Sequence, residues 1–153
     1  MTNYTIRKAT EKDLDIILPM GRKIVDEYER THLGDEMADG FINSGMCDQI
    51  YRDSLPNTSV LIDEKKIIGL IITVENTVQG FLINKTHWGT GAAQYLMSET
   101  LKAMAKTYNE VSLECFESSP RANSYYRKIG WEKTEVKDTD SGRMVVYKQY
   151  FNK

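Results

Sequence analysis

The segment Leu82-Ile83-Asn84-Lys85-Thr86-His87-Trp88-Gly89-Thr90-Gly91-Ala92-Ala93 carries the most informative chemistry in the sequence. An apolar run that reads as a strand ends at Ile83, a glycine-bearing turn follows, and a helix-period segment opens near Gly91. That order suits an anion. The first turn of a helix presents unpaired N–H groups and a partial positive charge, and glycines let a phosphate approach the backbone. Each dipole interaction is worth only about 0.3–1 kcal/mol when exposed, so firm binding needs several N–H groups converging from a curled loop. Two other readings share the glycines. One is a tight turn that merely lets a helix pack on a sheet. The other is a dinucleotide fingerprint, which would want a third glycine where Gln94 stands and a longer βαβ array beyond it.

The surrounding periodicities define the elements that must hold this loop. Tyr4 to Ala9 reads as a strand, and Thr10 with Asp13 resembles a capping box. The helix it opens carries Leu14, Ile17, Leu18, Ile24, Val25 and Tyr28 on one side, with a kink or restart expected at Pro19. A second helix is expected from about Asp35 to Ile50. Val60 to Ile62 and Ile67 to Val74 form a hairpin around Asp63 to Lys66, and the nearly all-apolar second strand belongs in the sheet interior. Val78 to Ile83 is the next strand, with a bulge signalled by Gly80. In the helix from Gly91 to Tyr108, Ala93, Met97, Leu101, Met104 and Tyr108 recur on one face. Val111 to Phe116 alternates as a strand, Ala122 to Ile129 is a short helix, and Trp131 to Val136 with Met144 to Tyr150 closes the chain as a hairpin. The order β α α β β β α β α β β predicts one α/β domain, residues 1–153, with helices flanking a mixed sheet.

Composition narrows the partners. At 153 residues and 41% hydrophobic side chains the chain can bury one sizeable core. With 20 Lys plus Arg against 22 Asp plus Glu it lacks the positive field that holds proteins on nucleic acid. Cys47 and Cys115 are far apart, with no CxxC spacing or histidine cluster, so neither a zinc site nor a disulfide framework is expected. The polar opening and the short apolar runs predict a cytoplasmic chain with no membrane partner.

Two motifs at their mutual distance resemble the GNAT superfamily of N-acetyltransferases. The family's acetyl-CoA signature, Arg/Gln-x-x-Gly-x-Gly/Ala, is matched by Trp88-Gly89-Thr90-Gly91-Ala92-Ala93, with Trp88 in place of Arg or Gln. A later family segment, Asn-x-x-Ala-x-x-x-Tyr followed by Gly-aromatic, is matched from Ser119 through Ala122 and Tyr126 to Gly130-Trp131, with Ser119 in place of Asn. Ile6-Arg7-Lys8-Ala9-Thr10 with Asp13 is also similar to the family's opening.

The resemblance implies a GNAT fold, a mostly antiparallel sheet with about four helices, and acetyl-CoA as co-substrate without a metal. The strands ending at Leu82 and Ile83 and starting at Val111 should splay, freeing backbone groups for the pantetheine arm. Gly89, Thr90, Gly91, Ala92 and Ala93 would hold the pyrophosphate, Trp88 would border it, and Ser119 would lend a hydroxyl. Tyr126 would protonate the departing thiolate, and a backbone N–H near Ile83 would steady the carbonyl oxygen. Glu114, twelve residues before Tyr126, resembles the base of the branch that acetylates ribosomal-protein N termini. Arg121, Arg127 and Lys128 either reach a nucleotide phosphate or form a solvated helix face.

Acetyl transfer to an amine requires a neutral nucleophile, oxyanion stabilisation and a proton for the leaving thiolate. The acceptor side is expected within Tyr28 to Asp39, where Asp35, Glu36 and Asp39 either attract a cationic amine or favour a helix dipole. His32 and His87 are expected at the surface. The resemblance implies that the acceptor is a primary amine of a small molecule or a peptide. The rivals are a peptide N-terminal acetyltransferase and a silent CoA-binding regulatory module. Exposed strands near the C-terminus raise a homodimer.

Overall fold

The computed structural model describes residues 3–151. Strands β1 (Tyr4–Lys8), β2 (Thr58–Asp63), β3 (Lys66–Val74), β4 (Thr77–Ile83), β5 (Glu110–Phe116), β6 (Glu132–Thr139) and β7 (Gly142–Tyr150) form one sheet in the order β1-β2-β3-β4-β5-β7-β6. Neighbours are antiparallel except β4 and β5, which run parallel. The sheet interior is β3, where burial is continuous from Ile67 to Ile72. A register shift opposite Leu61 and Ile62 breaks its alternation, so that Ile67, Leu70 and Ile72 join one core cluster while Ile68 and Ile71 join the other.

Between β1 and β2 come α1 (Leu14–Ile24), a π-helical turn (Val25–Glu29), α2 (Arg30–Leu33), α3 (Asp35–Asn43) and α4 (Met46–Asp53). The reciprocal capping box of Thr10 and Asp13 opens this run, with the Thr10 N–H donating to Asp13 Oδ2 at 2.7 Å. Arg7 grips the same carboxylate at 2.8 and 2.9 Å, which ties β1 to the helix start. The restart offered at Pro19 does not occur: α1 continues through that residue, and the helical pattern changes at the π turn. The helix expected from Asp35 to Ile50 is two helices. Gly45, at φ +83, takes a left-handed conformation that ends one and starts the other. Gly21 on α1 admits the Tyr51 ring of α4, which a Cβ there would overlap.

α1 places Ile17 and Met20 on the cluster of Val60, Leu70, Ile72 and Leu82. On the other core cluster lie α5 (Ala92–Ala105) and α6 (Pro120–Lys128). The buried stripe of α5 is rotated slightly from the expected one: Ala92, Leu96, Met97 and Met104 are buried, and Ala93, Leu101 and Tyr108 pack at its margin. Among the described residues no helix is long and apolar enough to cross a membrane.

Candidate active site

β4 and β5 are paired at only two positions, Thr77 with Ser112 and Val78 with Leu113, and beyond them the sheet opens. A bulge at Gln79 helps to turn β4, since Ile72 opposes Gly80 while Thr73 opposes Val78. At the wide end the backbone alternation can be read from one bond: the Asn84 N–H donates to Ile68 O at 2.7 Å. Leu82, two residues earlier, therefore also directs its backbone at β3, opposite Leu70, and its side chain is buried against α1. Leu82 thus does not offer backbone groups to the opening, contrary to its assignment as a cofactor contact. Ile83 and Phe81, of opposite parity, turn their backbone groups toward it. Phe81 is the lining residue that the motif reading missed.

The loop after β4 runs through a 3-10 turn, Lys85–His87, to Gly89 at φ +77 and Gly91 at φ +90. A Cβ at either glycine would meet nothing within 4 Å, so glycine is demanded here by left-handed backbone rather than by crowding within the chain. Gly91 is the N-cap of α5 and supplies no side-chain cap to its first turn. The Ala92 side chain is buried and that of Ala93 packs on the same core, while the Thr90 hydroxyl donates to His87 O within the loop. The result is the uncapped, positively polarised helix start that an anion needs.

Trp88 has a definite role in this loop. Its indole N–H donates to Ile83 O at 2.7 Å, tying the loop to the end of β4. Its ring lies 4.7 Å from that of Tyr28 in the π turn, and the Arg121 guanidinium sits 4.5 Å from the Trp88 ring and 5.3 Å from Tyr28. A cation therefore stands beside the loop although position 88 is aromatic, held there from the first turn of α6.

Ser119 is buried and is the N-cap of α6, accepting the Ala122 N–H at 3.4 Å. Asn123 organises the bend between β5 and α6, and sequence reasoning gave it no role. Its Nδ2 donates to Phe116 O at 3.0 Å and Ser119 O at 2.7 Å, and its Oδ1 accepts from Tyr147 at 2.6 Å. The two tyrosines that follow diverge. Tyr126 packs on the core between Trp131, at 6.0 Å, and Tyr147, at 5.8 Å, whereas Tyr125 stacks on Phe81 at 6.3 Å. Of the two, Tyr126 is the one that packs on the core cluster. Burial, and then the neighbouring Cys115 and Tyr125, push the Tyr126 phenol above its ordinary range. Burial followed by the Glu29 charge raises the Cys115 thiol to about 11.

A cavity of ≈ 300 Å³ opens where β5 ends, lined in part by His32, Leu33, Met37, Phe116, Ser118 and Arg143. Three of these fall within Tyr28 to Asp39, the stretch expected to face the acceptor. His32 is no surface residue: its side chain is only 8% exposed, with Nε2 2.9 Å from Glu29 Oε2 and Nδ1 2.8 Å from Ser118 Oγ. His87 is also partly covered, beside Asp63 at 3.3 Å. Asp35 and Asp39 both engage Arg30, which joins α2 to α3. Glu114 is on the sheet face away from Cys115, paired with Lys137 at 3.1 Å.

Residues 25–147 match the family model described as an acetyltransferase (GNAT) domain. The chain belongs to the GNAT acetyltransferases. Among solved structures it resembles the PaiA N-acetyltransferase of Thermoplasma acidophilum in complex with coenzyme A, at 17% identity and TM-score 0.74, over 97% of this chain and 99% of that one. It also resembles a GCN5-related N-acetyltransferase from Rhodopseudomonas palustris, at 9% identity and TM-score 0.81, over 99% and 98% of the two chains. Ard1 from Thermoplasma volcanium is similar at 17% identity and TM-score 0.72, over 98% and 99%. These likenesses show a shared fold. In this GNAT chain the substituted motif positions are both structurally employed, Trp88 as a tie to β4 and Ser119 as a helix cap.

Proposed function

We propose that this acetyltransferase moves the acetyl group of acetyl-CoA to a primary amine of a small molecule or peptide, by direct attack while both substrates are bound. The observation that carries this reading is the opening between β4 and β5, edged by the outward backbone of Phe81 and Ile83 and ending at the uncapped start of α5. An extended pantetheine arm fits such an edge as a strand would, and the diphosphate fits the N–H groups from Gly89 to Ala93. The PaiA neighbour with bound coenzyme A supports the assignment.

The amine nitrogen attacks the thioester carbon, the Ile83 N–H steadies the oxyanion, and the C–S bond breaks. Tyr126 gives its phenolic proton to the thiolate. Its surroundings keep that proton in place at neutral pH. Direct attack is favoured over a cysteinyl intermediate because Cys47 is wholly buried and the Cys115 thiol is pushed up to about 11, far from a thiolate at neutral pH. Calorimetry with coenzyme A, followed by acetyl-CoA consumption across alkyl amines, polyamines and short peptides, tests the proposal. Binding at the loop with turnover of an amine is expected. Binding without turnover on any amine would leave a silent CoA-binding module, and no binding by a folded protein would remove the assignment.

A further inference from the structure

The π turn that ends α1 does more than bend a helix. It directs two successive side chains toward the open edge of the sheet, Tyr28 onto Trp88 and Arg121, and Glu29 toward His32. His32 lies one helical turn after Glu29 and reaches Ser118, two residues beyond the end of β5.

The geometry points to Ser118, His32 and Glu29 as the relay that removes the proton from the acceptor amine, with the cavity at the end of β5 as the acceptor site. This rests on the acetyl-transfer reading above. A carboxylate beside Nε2 requires a proton between them, so Nε2–H donates to Glu29 and the Nδ1 lone pair accepts the Ser118 hydroxyl proton. That leaves a lone pair on the exposed Ser118 oxygen facing the cavity. As the C–N bond forms, the amine proton passes to Ser118 Oγ, and the Ser118 proton passes to Nδ1. The imidazolium so formed is held by Glu29. The electron pair of the breaking C–S bond leaves on sulfur and takes the Tyr126 proton, and solvent returns both groups to their starting forms. Glu114, the base offered by the sequence, is engaged by Lys137 and does not reach this relay.

The test uses the full chain, acetyl-CoA and an amine that the wild type acetylates. His32→Gln keeps hydrogen-bonding capacity toward both neighbours but accepts no proton, and kcat is expected to fall by on the order of a hundredfold or more. Coenzyme A affinity should stay unchanged by calorimetry. In His32→Ala, added imidazole should restore turnover, a response that a merely structural histidine would not give. If either histidine variant fails to fold, Ser118→Ala at its exposed position supplies the same test, with a fall in kcat of about tenfold and little change in donor KM. Unchanged kcat in these variants overturns the relay while leaving acetyl transfer intact. An acetyl group on Ser118 after mixing with acetyl-CoA alone would overturn it too, making Ser118 a nucleophile. Nitrogen NMR of the free protein needs no acceptor: the neutral Nε2–H tautomer is expected at His32, and an Nδ1–H tautomer contradicts the proposal.

Discussion

Tyr125 and Tyr126 are adjacent in sequence and differ in what surrounds them. Tyr126 is wedged between Tyr147 and Trp131, while the Tyr125 hydroxyl is buried without a hydrogen-bond partner in its stack on Phe81. A phenol kept protonated can serve as the acid proposed above, and an orphaned hydroxyl mainly incurs a desolvation penalty. Tyr126→Phe is therefore expected to lower kcat by roughly ten- to a hundredfold with coenzyme A affinity nearly unchanged. Tyr125→Phe should keep turnover and gain up to about 1 kcal/mol of stability in a urea titration. The reverse pattern would transfer the proton donor to Tyr125. What could be read of Tyr126 in the sequence is its place in the motif that resembles the family, by its spacing to Ala122 and Gly130-Trp131, and not the rings that enclose it. His32 was not legible, because the contact that defines it, Ser118, lies 86 positions away and leaves no periodic trace.

At the level of elements, the capping box at Thr10 and Asp13 was readable from four residues, whereas the Arg7 grip on that box depends on how β1 meets α1. Arg7 first, with help from the Thr10 backbone and against burial, holds the Asp13 carboxyl at about 2. A carboxyl lowered on folding contributes stability above its ordinary range and loses it as pH falls through the folded value. Asp13→Asn should thus cost about 1–2 kcal/mol at pH 7, since Arg7 is partly in water, and its deficit should close between about pH 4 and pH 2. Denaturant midpoints of both proteins across that interval measure it. A constant deficit would mean that the cap's hydrogen bonds, and not its charge, hold the junction. The split of the second helix at Gly45 had its signal in the sequence, a glycine before Met46, but helical periodicity continued through it and masked the break. The π turn had no comparable signal. Tyr28 within it is placed by a tertiary contact with Trp88, and Glu29 by His32 one helical turn on.

Across the whole molecule, the sheet consists of two blocks, β1 to β4 and β5 with β7 and β6, joined at two residue pairs. The core under α5 continues beneath both, with Ile71 and Val78 from one block and Leu113, Val145 and Tyr147 from the other. A ligand lying along the opening would supply the main-chain partners that the strands do not give each other. Linkage sets the size of the effect: at a hundred times its Kd, coenzyme A should stabilise the folded state by about 2.7 kcal/mol, or roughly 5–10 °C in Tm for a chain of this size. Any folded-state ligand would raise Tm, so the decisive quantity is where hydrogen exchange slows. Protection should concentrate at Phe81 and Ile83, at the N–H groups from Gly89 to Ala93, and along β5. The interior of β3, already closed by strands on both sides, should change least. Slowing confined to α3 and α4 would place the ligand on the wrong side of the molecule and disconnect the opening from its binding.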